Sequence, residues 1–405
     1  MNGTDVQALK REACATIDGL RPVLLRVSHA IHAKPELAFE EREAAALLCR
    51  TIEQAGLTVA RGAYGLETAF ECEFGAPAPP AGPRVALLAE YDALPGIGHA
   101  CGHNLIATAA LGAGLALAAL GARLPGRVRL LGTPAEERGG GKELMAEQGA
   151  FDGVDAALMV HPSGVDLATM PCIAVADLTV RYRGVAAHAS AMPDRGVNAL
   201  DALVLAYQAV AALRQHIKPT ERIHGIITQG GLAPNIVPEE SEGRFYVRAR
   251  NADELAPLKR RVEGCFQAGA AATGATLELI WHAPDYLDLR TNWPLAGVYQ
   301  RNAESLGRRF FPFEKLPPGV QGSTDMGNVS QRVPSIHPMI AAAPPHVTIH
   351  NAEFAKWAAS ELGDAAAIDG AKALAMTALD FLCDAKLRQD VREAFVAATA
   401  LGRSL

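Results

Sequence analysis

Apolar positions change period several times along this chain, and the changes divide it. From residue 5 to 56, Leu20, Val23, Leu24, Val27 and Ile31, then Ala44, Leu47, Leu48 and Ile52, recur at helical spacing, with Lys34-Pro35 breaking the run; two helices are predicted. His29 and His32 beside the break read as packing residues of that turn. After a Pro/Gly/Ala connector at 75–83, one theme recurs three times: a short apolar strand, a polar end, a helix. The strands are Val85–Ala89, Val128–Leu131 and Ala156–Val160, and the turns beyond them carry Asp92, Cys101 and His103, then Glu136-Glu137, then His161. This recurrence predicts an α/β layer with a mostly parallel, mixed sheet flanked by helices.

From about 174 the order changes to strand (174–183), helix (197–215), strands (222–228 and 242–250), helix (252–272) and strand (275–281). That βαββαβ order is the ferredoxin-like split unit, expected to fold by itself as an insertion. A return segment rich in Pro, Asp and Tyr, about 283–294, reads as a linker. Helices then resume, with a short apolar element around 336–343, a Pro344-Pro345 turn, and His346 and His350. The expected division is therefore 1–173 with 286–405 as one domain and 174–285 as the other.

Composition narrows the partners. The 405 residues are 49% hydrophobic and 20% charged, with a formal net charge of −6 and no basic cluster; nucleic acid and anionic membrane are not expected partners. Seven scattered cysteines without paired spacing argue against a disulfide framework and for a reducing, cytoplasmic setting. The stretch Leu105–Leu120 is apolar but Ala/Gly-rich and shorter than the ~20 residues a membrane span needs, so a buried core helix is predicted there.

The candidate chemistry lies at the strand ends. Pro95, Gly96 and Gly98 force a loop that delivers His99, Cys101 and His103 within five residues, and Asn104 is placed to cap the following helix. A Cys-x-His spacing alone is more often a packed cysteine near surface histidines. Three successive strand ends supplying ligand-type residues shift the balance to a metal centre, because open α/β sheets bind ligands beyond the carboxyl ends of their strands. In Glu136-Glu137, one carboxylate can bind a metal while its neighbour stays free to take a proton.

Five segments carry a resemblance: Ala89-Glu90-Tyr91-Asp92-Ala93-Leu94-Pro95, His99-Ala100-Cys101-Gly102-His103-Asn104, Pro134-Ala135-Glu136-Glu137, Val160-His161-Pro162 and Ile349-His350-Asn351-Ala352-Glu353-Phe354. Together, over about residues 25–385, they resemble the aminoacylase/carboxypeptidase family of metallohydrolases. The closer likeness is to its amidohydrolase branch, with the indoleacetyl-amino-acid and aminobenzoyl-glutamate hydrolases. The resemblance implies a zinc-exopeptidase-like catalytic domain with an inserted lid and dimerisation domain. It implies two divalent ions per subunit (manganese or zinc first, nickel or cobalt next) held by Cys101, His103, Glu137, His161 and His350. Asp92 would orient a ligand, and Glu136 would be general base and acid for water attacking the amide of an N-acyl or N-aroyl amino acid or a dipeptide. His188, in Gly184–Ser190, would steady the oxyanion of a partner subunit, which makes a homodimer part of the expectation; Asn235, in Pro234–Pro238, would donate to the same oxygen. Arg248 or Arg250 would grip a substrate carboxylate.

Three positions depart from the pattern. Gly322-Ser323-Thr324-Asp325 stands where the family has glycine-serine-glutamate-aspartate, so the pocket wall around Ser323 differs; Asn104 stands for an aspartate; and Glu90 stands where other branches place a histidine ligand. Two other readings stay open: a hydrolytic deaminase of an aromatic amine on the same site, and a non-catalytic binding protein on this fold. The nucleobase-deaminase pattern His-x-Glu, Pro-Cys-x-x-Cys is absent, and a pure binder needs no free Glu136.

Overall fold

A computed structural model describes residues 5–75, 82–317, 319 and 321–402; most of the 75–83 connector lies outside these. The chain divides into two compact units, residues 1–171 with 289–405, and residues 172–288.

In the first unit, α1 (Val6–Ala33) and α2 (Arg42–Gln54) are separated by a connector at 34–41. The strands β1 (Ala60–Arg61), β2 (Phe70–Gly75) and β3 (Arg84–Glu90) follow, then α3 (His103–Ala119), β4 (Arg127–Thr133), α4 (Gly141–Glu147), β5 (Ala156–Leu158) and β6 (His161–Ser163). Strands β1 and β2 were not read from the sequence, although Phe70, Cys72 and Phe74 alternate; β2 pairs antiparallel with β4. Every residue from His103 to Leu117 of α3 is buried, which explains its all-round apolar sequence. Among the described residues no helix is long and apolar enough to cross a membrane.

The second unit has β7 (Ala174–Arg183), α5 (Ala199–Leu213), β8 (Arg222–Gln229), β9 (Glu240–Ala249), α6 (Ala252–Thr273) and β10 (Thr276–Tyr286). Its antiparallel sheet runs β10-β7-β9-β8, the order of a ferredoxin-like unit. Leu178, Val180, Tyr182, Phe245, Val247 and Phe266 form its own core. Strand β10 continues to Tyr286, so what reads as linker composition begins as the end of a strand.

The chain re-enters the first unit with α7 (Trp293–Ser305), α8 (Met326–Arg332), β11 (Ser335–Ile336), β12 (Met339–Ala341), α9 (Ala352–Trp357), α10 (Glu361–Cys383) and α11 (Ala385–Gly402). The apolar element near 336–343 is thus two strands. The main sheet has the order β1-β2-β4-β3-β5-β11, with β4, β3, β5 and β11 mutually parallel. Their carboxyl ends, Thr133, Glu90, Leu158 and Ile336, therefore lie along one edge, and the loops leaving them share one crevice. His161 sits in β6, paired with β12, where a turn was expected.

Candidate metal centre

Loops carrying Cys101, Glu136-Glu137 and His350, the start of α3 at His103 and the short strand β6 with His161 converge at that edge. Gly102 takes the position before α3 with φ +79°, and a Cβ there would come 2.5 Å from Pro162 Cγ; only glycine lets the Cys101 loop lie so close to the His161 segment. Asn104 is consequently one residue inside the helix, where it donates to Ser28 Oγ (3.0 Å) and the Ala358 carbonyl (2.9 Å). The expectation that Asn104 caps α3 is corrected: backbone geometry gave the cap to Gly102.

The donor atoms meet. Those of Cys101, His103 and His161 lie within 4.8 Å of one another, as do those of Cys101, Glu137 and His350, and those of His103, Glu136 and Glu137. Cys101 Sγ is 3.4 Å from His161 Nε2 and 3.2 Å from His350 Nε2. Cys101, His103 and His161 are buried, while the His350 side chain is half exposed at the mouth. His350 holds a left-handed φ of +64°, with its N–H donating to the Ala100 carbonyl at 2.8 Å.

Ring orientation is fixed from behind. His161 Nδ1 donates to the Pro162 carbonyl (2.8 Å) and His103 Nδ1 to Asp92 Oδ1 (3.0 Å). Both rings thereby turn an Nε2 lone pair toward Cys101, the arrangement a metal-ligating histidine requires. Asp92 Oδ2 also accepts the Glu137 N–H at 2.9 Å, tying the two carboxylate-bearing loops together.

The electrostatics favour added positive charge. Burial, then the Glu137 carboxylate, pushes the Cys101 thiol well up. Burial pulls His161 down to about 3, aided by His103, so its imidazole is neutral. Burial also opposes charge on His103, but Cys101 and Asp92 outweigh it and raise its pKa. His103 Nε2 and Glu137 Oε1 are buried without a hydrogen bond. Such atoms need a partner, and a soft thiolate, imidazoles and a carboxylate together suit a first-row divalent ion.

Behind this group lies a second one that the sequence did not reveal. Glu90, Glu136 and Asp325 come within 4.8 Å of one another, and the fully buried Lys142 pairs with Glu90 and, at 2.7 Å, with Asp325. The Lys142 N–H donates to the other Asp325 oxygen at 2.9 Å. Burial would lower the Lys142 pKa, but Asp325 and Glu90 hold it raised, so it stays an ammonium. Glu90, expected near a ligand position, is instead turned partly to this lysine. Its Oε2 remains 3.5 Å from His103 Nε2. Glu136 is raised well above the usual carboxylate range by burial and by Glu90, Glu137 and Asp325. Sequence reasoning missed Lys142 and left His337 ambiguous, ranked below His350; His337 is fully buried with its ring edge-on to His161, centroids 5.4 Å apart. A glycine run before Lys142 was the sole local signal.

Ser323 is half buried in the loop before α8, beside Asp325. The other candidates belong to the second unit. His188 and Asn235 are exposed neighbours there: the Ala189 N–H donates to the Asn235 carbonyl at 3.1 Å. Arg248 lies on the open face of β9, over the Tyr246 ring and 3.3 Å from His224 Nε2. Arg250 falls beyond the end of β9 and its guanidinium pairs with Glu254 at 2.7 Å, so of the two candidate arginines only Arg248 lies on the strand.

A parallel sheet with thiolate, imidazole and paired glutamate gathered beyond its strand ends defines a hydrolase of the metal-binding class. Known proteins agree. The model of peptidase family M20/M25/M40 matches residues 86–378. The Xaa-Arg dipeptidase of Mus musculus is 44% identical over 404 residues, covering 97% of this chain and 94% of that protein. A p-aminobenzoyl-glutamate hydrolase component of Escherichia coli is 36% identical over 60% of this chain and 54% of its own. Among solved structures, an aminobenzoyl-glutamate utilization protein from Klebsiella pneumoniae superposes with a TM-score of 0.70 at 18% identity, over 90% of this chain and 97% of that one. A dinuclear metal-binding M20 peptidase from Bacillus subtilis gives 0.68 at 20%, over 90% and 99%. The chain belongs to peptidase family M20/M25/M40, and it is a hydrolase of amide bonds.

Proposed function

We propose that this protein cleaves the amide bond of a dipeptide, or of an N-acyl or N-aroyl amino acid, at a two-cation centre held by Cys101, His103, Glu137, His161 and His350. The observation that carries the reading is the meeting of those five donors beside Glu136. Divalent ions there, manganese or zinc first and nickel or cobalt next, would supply Lewis acidity to the amide carbonyl and acidify water.

The chain's own groups do the rest. Asp92 holds His103 in the tautomer that presents Nε2. Glu136, whose proton affinity is raised by burial and by Glu90, Glu137 and Asp325, takes a proton from the attacking water and returns it to the leaving nitrogen. His188 and Asn235, neighbours in the second unit, steady the developing oxyanion, His188 from a partner subunit. Arg248, or Arg250 on leaving its pair with Glu254, would grip a substrate carboxylate; Ser323 contributes to the pocket wall.

A homodimer is supported by the edge strand β8, the turn after it and α5, which expose Ile226 and Ile227, Leu232, and Val204 and Leu205. Seven cysteines in the free state fit a cytoplasmic setting. The 44% identity to an Xaa-Arg dipeptidase makes dipeptides with a basic C-terminal residue the first substrates to try. The test is a panel of such dipeptides, other dipeptides, and N-acetyl and N-aroyl amino acids, assayed after stripping and adding back each ion. Cleavage restored by one or more ions is expected; no cleavage with any ion overturns the proposal.

A further inference from the structure

We propose that Glu41, on the connector between α1 and α2, is a positioning residue that sets the backbone from which Glu136 and Glu137 enter the centre. The inference rests on the reading that those two glutamates serve the reaction, and it deepens that reading by naming what places them.

Glu41 is fully buried. Its Oε1 accepts the N–H of Ala135 at 2.8 Å, and its Oε2 accepts the Thr68 hydroxyl at 2.9 Å. Ala135 is the residue immediately before the glutamate pair, and its φ is +60°. An alanine held in the left-handed region is strained and persists only where its surroundings impose it. The imposing contacts are on both sides: Glu41 holds the N–H, and the Gly141 N–H donates to the Ala135 carbonyl at 3.2 Å. Gly141 itself admits no side chain, since a Cβ would stand 1.9 Å from the Pro134 carbonyl oxygen. Were Ala135 to relax to an ordinary φ, the chain direction after it would swing, and both carboxylates would leave the donor cluster.

The connector braces neighbouring loops as well. The Glu36 carbonyl accepts the N–H of Ala93, next to Asp92, at 2.8 Å. The Phe39 ring, on another left-handed residue (φ +65°), fills the space beside Gly139, where a Cβ would come within 2.4 Å of it. A segment that reads as a mere helix interruption thus touches two of the loops that carry the chemistry.

The experiment uses the full-length, metal-loaded protein with Glu41→Ala, Glu41→Gln, Thr68→Val and Glu136→Gln, measuring kcat, KM and bound metal per chain. Misplacement of the loop predicts a kcat ~10²-fold lower for Glu41→Ala, with KM within about threefold. Glu41→Gln, whose amide oxygen can still accept the Ala135 N–H, should recover to within about tenfold of the parent. A folded Glu41→Ala with parental kcat overturns the inference. So does a Glu41→Gln as impaired as the alanine variant. If Glu41→Ala does not fold, Thr68→Val, which releases Oε2 and leaves the carboxylate, should lower kcat about tenfold at constant KM, and parental kcat again overturns it. Glu136→Gln separates the two ideas: inactive beside a fully active Glu41→Ala, it sinks the positioning role alone; fully active, it sinks both.

Discussion

The two units treat charge in opposite ways. In the second, charges other than Glu221 lie at or near the surface, with Arg244 paired to Asp177, Arg181 to Glu242 and Lys259 to Asp285. In the first, acids, a lysine and histidines are carried into the interior at the strand ends, and His103 Nε2, Glu137 Oε1 and both His337 nitrogens make no hydrogen bond there. Among the described residues, every buried side-chain atom of that kind lies in the first unit. A fold tolerates unmatched buried polar atoms only where something else compensates. The difference marks which unit holds the reacting centre, independent of any sequence likeness.

The sharpest way to break this comparison is to take away the compensating charge. Stripping divalent ions with a chelator should abolish turnover, and adding manganese or zinc should restore it. Ions at ~100 times their dissociation constant should also raise unfolding free energy by about 2.7 kcal/mol; thermal melts with and without ion check this. Next, Glu136→Gln should lower kcat by ~10²–10⁴-fold while leaving bound metal per chain unchanged, measured by steady-state kinetics beside elemental analysis.

A paired test sets one interior cation against one at the surface. Lys142→Met leaves Glu90 and Asp325 buried without their ammonium and should cost about 3–5 kcal/mol in denaturant unfolding. Arg244→Met breaks a pair whose arginine side chain is 38% exposed and should cost ~0–1 kcal/mol. Equal losses would erase the contrast between the units.

The last effect concerns pH. Burial, the largest cause, pushes Glu41 up from 4.5 to about 7. The folded chain therefore holds this proton more tightly than the unfolded one, and stability falls as pH rises from about 4.5 to about 7, then levels. Glu41→Gln cannot ionise. Relative to the parent it should gain ~1–3 kcal/mol on going from pH 5 to pH 8, and a constant difference at the two pH values would contradict the assignment.

Local patterns made much of this molecule legible. Strand–loop–helix recurrence announced the parallel layer, because strands buried on both faces must be continuously apolar. The loop glycines and prolines announced where Cys101 and His103 would be delivered. All five candidate ligands lie on segments that stand out in the sequence and converge in the fold. Strands β1 and β2 escaped notice because one is two residues long and the other carries glutamates that alternate outward, so neither stands out as a core strand. The cap falls two residues before Asn104, since a capping preference is weaker than the steric demand of Pro162 on Gly102.

What the sequence determined by itself was the period of each element, the places where the chain must turn, and the residue types waiting at those turns. What only tertiary structure decided was which charged side chains go inside. Apart from the glycine run before Lys142, nothing local distinguishes that lysine at the start of a helix, Glu41 before one, or Asp325 beside a serine and threonine from ordinary surface residues. Burying a charge costs several kcal/mol unless a partner meets it. Here the partners, Glu90 and Asp325 for the lysine, and the Ala135 N–H and Thr68 hydroxyl for Glu41, come from distant stretches that only the completed fold brings together.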